Sequence, residues 1–307
     1  MRDLLDKRLI FVTGKGGVGK TTVTAALARL AASRGRTVLV CEIDTDASMG
    51  HIFGAADIGF EPRRVEPRIY AANLTRTECM GAFIRRFVPS RRVADLILKN
   101  RVANIFFDSA PSVMEAVILD QLATLSEQKV PAFDLILVDL PASGHALTFL
   151  DVPRSMVEMV RVGNLAKHMQ GLAEQIADPN RSELLLVALP EELSVNETIE
   201  LWSAARERLQ IRTNRVVING LRERDVQPGD ADIARAAVAA GANAEAMDRV
   251  AWGAQLGAWW REQDRVNAER LREAIDGQIV EVPYVFARVD ERDLVEHVAD
   301  ALNGASA

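Results

Sequence analysis

The nine residues Gly14-Lys15-Gly16-Gly17-Val18-Gly19-Lys20-Thr21-Thr22 fit the G-x-x-x-x-G-K-[ST] pattern of a phosphate-binding loop. An apolar run at 8–13 precedes them and is long enough for one buried strand. The alanine and leucine spacing of 21–34 is typical of a helix. A strand, a glycine turn and a helix N-terminus point backbone N–H groups at one spot, where the helix dipole adds positive potential. The sequence therefore predicts a loop that holds phosphate groups.

The residue types of this loop each suit a nucleotide. Glycine lets the backbone approach a phosphate without an intervening Cβ. We expect Lys20 to reach the β- and γ-phosphates and the Thr21 hydroxyl to ligate Mg²⁺. Lys15 lies on the wrong side of the loop to duplicate Lys20, so we expect it to meet another partner. The residues predicted to bind the nucleotide here are Gly14, Gly16, Gly17, Val18, Gly19, Lys20, Thr21 and Thr22.

Carboxylates follow two predicted strands. Asp44-Thr45-Asp46 comes after the strand at 37–43, where a carboxylate can orient an attacking water and accept its proton. Asp139 ends the strand at 134–139 and can hold a water of the Mg²⁺ shell. Gly144 and His145 follow it. The Gly144 N–H can contact a γ-phosphate, and His145 either positions this segment or is a helix-capping or core histidine.

Two segments carry a family resemblance. Residues 14–22 resemble the deviant phosphate loop of the ArsA, Get-type, MinD, ParA and nitrogenase iron-protein ATPases. Residues 140–153 resemble the ArsA/Get switch II pattern, with matches at Gly144, His145, Leu147, Leu150 and Pro153. The resemblance implies an ATP- and Mg²⁺-dependent hydrolase. It also implies that Lys15 reaches the partner's nucleotide across a homodimer, or a heterodimer with a related ATPase, and stabilises charge there.

Weaker matches extend this resemblance along the chain. Residues 189–198 resemble a family segment, although Ser194 is also a candidate N-cap with Glu197 completing a capping box. Asn219 matches the asparagine that reads the adenine edge, since an amide offers both a donor and an acceptor. Pro283 and Tyr284 match the loop that covers the base.

The switch I aspartate stays ambiguous between two positions. Asp44 lies nine residues before Phe53, as in the ArsA/Get pattern, whereas the D-x-D form resembles MinD and favours Asp46. The Pro-Ala-His that follows this aspartate in the family is replaced by Thr45, Asp46 and Ala47.

Strand and helix patterns alternate along the chain, which favours an α/β fold with a doubly wound, mostly parallel sheet and a P-loop NTPase core. We predict strands at 8–13, 37–43, 68–73, 134–139, 183–189, 213–219 and 278–282. The 307 residues, 49% of them hydrophobic, suffice for a large core. We expect one ATPase domain over 1–307 with helical elaborations at about 75–130 and 230–275, and a short helical span at about 160–180.

Composition argues against several classes of protein. The sequence contains no run of eighteen apolar residues and does not begin with a signal-peptide pattern, so we expect a cytoplasmic protein without an integral membrane segment. Cys41 and Cys79 are the only cysteines and lack C-x-x-C spacing, which weakens zinc, disulfide and iron–sulfur roles. Arsenite-pump members of the family that the chain resembles use cysteine thiolates for the metalloid, and the sequence has no cluster of three, which disfavours that role. A net charge of −6 disfavours nucleic acid as a partner.

The segment 75–130 has three interpretations: an amphipathic helix pair packed on the sheet, a groove for a hydrophobic client helix or partner, and a membrane-surface helix. We expect the tryptophans at 252, 259 and 260 to pack the last helices, with a partner surface as the alternative.

The function predicted is a Get/ArsA-like ATPase whose dimer opens and closes around a client, as in membrane-protein targeting. The alternative is a MinD/ParA-like positioning or scaffold ATPase acting on a soluble assembly.

Overall fold

The computed structural model describes residues 1–43, 48–55, 58–88, 90–101, 112–222, 229–241, 243–285 and 289–304. Its strands are β1 (Leu9–Thr13), β2 (Val38–Ile43), β3 (Arg63–Glu66), β4 (Ile69–Leu74), β5 (Leu135–Asp139), β6 (Ser182–Ala188), β7 (Arg215–Leu221) and β8 (Gln278–Pro283). They form one eight-stranded sheet in the order β3-β4-β2-β5-β1-β6-β7-β8. The β3–β4 pair is antiparallel and the others are parallel. This confirms the predicted fold class.

The seven predicted strands are all present close to their expected bounds, whereas β3 was not predicted. Its residues Arg63–Glu66 are exposed or half-buried, and three of them carry a charge, so they show no apolar pattern. They form a strand because the edge of β4 offers unpaired backbone groups.

The helices occupy the connections between strands. They are α1 (Arg2–Leu5), α2 (Lys20–Ser33), α3 (Ser48–Ile52), α4 (Arg76–Phe87), α5 (Arg91–Lys99), α6 (Val113–Glu127), α7 (Ser143–Val160), α8 (Asn164–Ala177), α9 (Glu192–Ala204), α10 (Asp230–Ala239), α11 (Ala244–Ala274) and α12 (Glu291–Gly304). A π-helical turn at Ala205–Leu209 continues α9. Most of the described residues at 75–130, 160–180 and 230–275 are helical. None of the described helices is long and apolar enough to cross a bilayer.

Two hydrophobic layers cover the sheet. Along β1, Ile10 and Val12 face a layer built from α1, α2, α3 and α12, whereas Phe11 faces the layer that contains α4, α6, α7, α8, α9 and α11. All five residues of β1 are buried. A strand buried on both faces is expected at the centre of a parallel sheet, and β1 leads directly into residues 14–22.

Helices α4 and α5 differ in how they pack. The apolar side of α4 is buried in the second layer, with Met80 and Ile84 each 6% exposed. Helix α5 buries Ala94, whereas its Leu96 is 69% exposed. The interpretation as a packed amphipathic helix therefore fits α4 better than α5.

Helix α11 corrects one expectation. Trp252 is 67% exposed and Trp259 is 57% exposed, so these side chains do not pack the last helices as predicted. Trp260 is half-exposed and lies over the guanidinium of Arg222, with 5.1 Å between the Arg222 Cζ and the ring centroid. Helix α11 is held through another residue, Asp264, which is buried and accepts hydrogen bonds from the Arg222 backbone and side chain.

A buried carboxylate joins three helices of the second layer. Asp120 of α6 is 1% exposed and accepts two hydrogen bonds from the Arg86 guanidinium of α4, at 3.1 and 2.6 Å. His168 Nε2 of α8 lies 2.5 Å from the same carboxylate. A bidentate arginine pair of this kind fixes relative orientation as well as distance. Helices α4 and α6 are therefore tied to the helix that follows α7.

Candidate functional site

The turn after β1 is shaped by a close backbone approach. Gly14 has φ 155°, and an added Cβ would lie 2.0 Å from the carbonyl oxygen of Val187 in β6. Only glycine fits between the loop and the neighbouring strand at this position. The loop consequently leaves β1 over β6 and turns back toward the N-terminus of α2.

The rest of the loop presents backbone N–H groups. Gly17 and Gly19 have φ values of 82° and 89°, and Gly19 is the N-cap of α2 without a side-chain cap. Gly16 and Gly17 are exposed, whereas Val18 is 1% exposed and anchors the loop in the core. Such a glycine turn at a helix N-terminus is a concave anion site.

Lys20 extends back over the loop. Its Nζ donates to the backbone carbonyl of Lys15 at 3.1 Å. Burial lowers the pKa of Lys20, while the charges of Asp139 and Glu197 oppose this shift. An ammonium group that has lost part of its hydration and donates to one carbonyl can bind a phosphate strongly.

Lys15 differs from Lys20 in its surroundings. Its side chain is half-buried, and it forms no ion pair with any residue in the described part of the chain. Within its own loop, the contact that involves Lys15 is made by its backbone carbonyl, which accepts from Lys20.

Asp139 lies at the carboxyl end of β5, beside the start of α2. Its Oδ2 accepts a hydrogen bond of 2.6 Å from the Thr21 hydroxyl, whereas Oδ1 is buried without a partner among the described residues. Burial raises the pKa of Asp139 to about 6, against the opposing effects of the Thr21 hydrogen bond and the Lys20 charge. Thr21 and Asp139 are therefore brought together, and one carboxylate oxygen is left for a ligand.

A second carboxylate beside Asp139 was not predicted from the sequence. Glu42 of β2 is 2% exposed and aligns with Asp139 of the adjacent strand. Its Oε1 accepts hydrogen bonds from the Ser48 hydroxyl at 2.5 Å and the Met49 N–H at 3.1 Å, at the start of α3. A lone glutamate inside the apolar strand Val38–Ile43 was the available signal.

Gly144 and His145 lie in the first turn of α7, a short turn beyond the end of β5. Both residues are exposed, so the core interpretation of His145 is wrong. The N-cap of α7 is Ala142 and no side chain caps this helix, so His145 is not a capping residue either. The Gly144 N–H belongs to the first turn, whose N–H groups lack partners within the helix.

The residues predicted to contact the base lie together at the ends of β7 and β8. Asn219 Nδ2 donates to the Val18 carbonyl at 2.9 Å, so its amide contacts the phosphate loop. Pro283 pairs with Leu221 in register, and the Tyr284 N–H donates to the Leu221 carbonyl at 2.7 Å. The Tyr284 side chain is 49% exposed.

Two other expectations have different outcomes. Ser194 is not an N-cap, because α9 begins at Glu192, and the buried Ser194 hydroxyl instead accepts from the Leu189 N–H at 2.9 Å. Asp44 and Asp46 lie outside the described residues, so their roles stay predictions.

The arrangement fits a nucleotide with a divalent cation. The glycine turn and Lys20 supply donors for phosphate oxygens, and Thr22 lies in the first turn of the same helix. The Thr21 hydroxyl and the Oδ1 of Asp139 supply oxygen atoms of the type that Mg²⁺ and its bound waters prefer. The donors and acceptors lie at the carboxyl edge of the parallel strands, where such sheets bind ligands.

Comparison with known proteins agrees with this chemistry. A family model described as anion-transporting ATPase matches residues 7–176. ATPase BagA of Mycobacterium tuberculosis is 27% identical over 233 residues, which cover 73% of this chain and 68% of that protein. The ATPase ASNA1 homolog of Entamoeba histolytica is 26% identical over 249 residues, which cover 68% of this chain and 75% of that protein. A putative arsenical pump-driving ATPase of Halobacterium salinarum is 25% identical over 237 residues, which cover 72% of this chain and 36% of that protein.

Replacement of Gly14 by alanine tests the backbone approach. We expect Gly14→Ala to lower the free energy of unfolding by about 1–3 kcal/mol, because the new Cβ would overlap the Val187 carbonyl. Gly16→Ala is the matched control, since a Cβ there meets no atom within 4 Å. Urea denaturation of both variants measures the difference. Equal stability of the two variants would show that the loop does not lie against β6 as described.

The raised pKa of Asp139 leads us to expect that the stability of the nucleotide-free protein depends on pH. Its pKa is about 6 when folded and 3.8 in an ordinary environment, so the folded state binds more protons between these values. The stability that this proton provides is lost as the pH rises through that window. As the pH rises from 3.8 to about 6, the free energy of unfolding of Asp139→Asn should increase relative to that of wild type by up to about 3 kcal/mol. Above this range the difference should stay constant. Urea denaturation at a series of pH values measures this gain, and a difference that is independent of pH would contradict the assignment.

Proposed function

The chain belongs to the ArsA, or anion-transporting, ATPase family and is an ATP-hydrolysing enzyme, and we propose that it acts as a cytoplasmic dimer whose ATP cycle binds and releases a client protein. The observation that carries the ATP-dependent part of the proposal is the pairing of an exposed glycine turn with the Thr21–Asp139 contact at the carboxyl edge of the sheet. Together these groups support a phosphate site next to a cation site.

The residues around the phosphates then have roles in hydrolysis. The loop N–H groups and Lys20 would hold the phosphates, and Thr21 with Asp139 would hold Mg²⁺, directly and through a water. The ion supplies charge stabilisation of the phosphate oxygens when it is bound. Asp44 or Asp46 would orient the attacking water.

The remaining site residues would surround the rest of the nucleotide. The Gly144 N–H, in the first turn of α7, would contact the γ-phosphate. Asn219, Pro283 and Tyr284 lie at the ends of β7 and β8 and would surround the base. We also propose that the whole chain forms one ATPase domain around this site.

The surroundings of Lys15 support the proposed dimer. The described part of its own subunit offers this lysine no ion pair, although it lies within the phosphate loop. We infer that it contacts a nucleotide in a second copy of the chain or in a related ATPase. A positive charge delivered to the leaving phosphate from another subunit acts as an arginine finger does.

A client surface is supported by helices α4 and α5. Phe87 is 49% exposed, Val93 is 46% exposed and Leu96 is 69% exposed, and all three lie within a short part of the chain. Contiguous exposed apolar patches mark interaction surfaces more often than single exposed side chains do, and these three residues are candidates for such a patch. The surface supports a hydrophobic helix as the client.

The second candidate function is a positioning or scaffold ATPase that acts on a folded partner. The exposed Trp252 and Trp259 of α11 favour it, because large aromatic side chains dominate the energetics of protein interfaces. In this case the ATP-bound dimer binds an assembly and hydrolysis times its release.

Two lysine variants test the proposed site. Lys20→Ala should abolish nucleotide binding, because it removes the cation that meets the β- and γ-phosphates. Lys15→Ala should leave the Kd for ATP within about threefold and lower kcat by about 10³-fold, the scale of a lost arginine finger. Calorimetry and steady-state kinetics separate the two effects. Wild-type turnover in Lys15→Ala would contradict the cross-subunit role.

Stimulation of ATP hydrolysis distinguishes the two candidate functions. A synthetic apolar transmembrane helix should raise the turnover of wild type, and the double variant Phe87→Ser, Leu96→Ser should lose this response while keeping its basal rate. Trp252→Ser, Trp259→Ser is the matched control and should keep it. Retention of the response by the first variant and its loss in the second would favour the scaffold function.

A further inference from the structure

Three neighbouring strands carry a row of buried or half-buried polar side chains near their carboxyl ends, on the face covered by α2 and α3. In register, Glu42 of β2 lies between Asn73 of β4 and Asp139 of β5. Residues directly opposite on adjacent parallel strands point to the same face, with backbones about 4.8 Å apart. The carboxylates of Glu42 and Asp139 are therefore immediate neighbours.

Each of these two carboxylates has one oxygen in use and one without a partner. Thr21 of α2 occupies Oδ2 of Asp139, and the start of α3 occupies Oε1 of Glu42. Oδ1 of Asp139 and Oε2 of Glu42 are both buried, with no hydrogen-bond partner among the described residues. Two buried carboxylate oxygens without partners, on residues that are opposite each other on neighbouring strands, are costly in the interior unless a cation or its waters complete them.

Glu42 also touches the residues that follow the candidate switch I aspartates. Its hydrogen bonds to the Ser48 hydroxyl and the Met49 N–H hold the chain immediately after 44–47. The same side chain thus borders the cation site on one side and holds the start of α3 on the other.

We propose that Glu42 is a positioning residue of the Mg²⁺ site, which accepts from the ion's water shell together with Asp139 and thereby links ion binding to the start of α3. This inference rests on the proposed function, because it assigns a second carboxylate to the same cation site. Outer-shell partners of a metal orient its ligands and commonly affect affinity by about 10–100-fold.

The variant Glu42→Gln tests the inference. Glutamine keeps the shape and one oxygen for Ser48 and Met49, but it removes the charge beside Asp139. In the protein with bound ADP, the Kd for Mg²⁺ should rise by about tenfold or more, while the affinity for ADP in EDTA stays unchanged. Calorimetry with MgCl₂ measures the first quantity and with ADP the second.

Ser48→Ala is the matched control for Glu42→Gln. It removes one hydrogen bond to Oε1 and keeps the carboxylate, so it should leave the Kd for Mg²⁺ within about threefold. A Kd that rises equally in both variants would assign the effect to the hydrogen bonds of α3 and overturn the role of the Glu42 charge.

A measurement on the wild type tests the link to α3 without a variant. Addition of Mg²⁺ to the ADP complex should slow hydrogen exchange of the Met49 amide, and Glu42→Gln should remove this slowing. The inference fails, and the proposed function stands, if the Kd for Mg²⁺ is unchanged in Glu42→Gln. The same holds if Mg²⁺ does not change the hydrogen-exchange rate of the Met49 amide in the wild type. Absence of Mg²⁺-dependent ADP binding in the wild type overturns the proposed function and this inference with it.

Discussion

The backbone contact between Gly14 and the Val187 carbonyl constrains the whole nucleotide site. It brings the loop after β1 down onto β6, and the loop then enters α2 through Gly19. Helix α2 therefore starts where Thr21 can donate to Asp139 of β5. The gap between Gly14 and the Val187 carbonyl accommodates the hydrogen atom of glycine but no Cβ. The relative positions of the loop, α2 and the two flanking strands depend on this close approach.

Charge at this edge of the sheet is only partly compensated by the described residues. Lys20 has a carbonyl partner, and Asp139 and Glu42 each retain a buried oxygen without one among those residues. A triphosphate and a divalent cation supply charges of the opposite sign. A ligand that binds only the folded state stabilises it. A bound nucleotide and cation would therefore offset the cost of leaving these groups without partners in the free protein.

The sequence predicted the parts of the molecule that local patterns determine. Central strands such as β1 are buried on both faces, so their apolar runs stand out, and the glycine spacing identifies the loop. The edge strand β3 depends on pairing with β4, which its charged sequence does not reveal. Trp252 and Trp259 show why apolar content alone fails, because an aromatic residue on a helix looks the same in sequence whether or not another layer covers it. Glu42 gained its significance only when the register placed it beside Asp139.

The carboxylate of Asp120 fastens α4, α6 and α8 together at one point. Because Arg86 and His168 converge on this single buried group, sliding of α4 or α8 along α6 would break a contact with Asp120. Displacement of α8 would therefore act on α4, and on the exposed Phe87 at its end, through the Asp120 carboxylate. A single buried carboxylate thus couples the positions of three helices that are far apart in sequence.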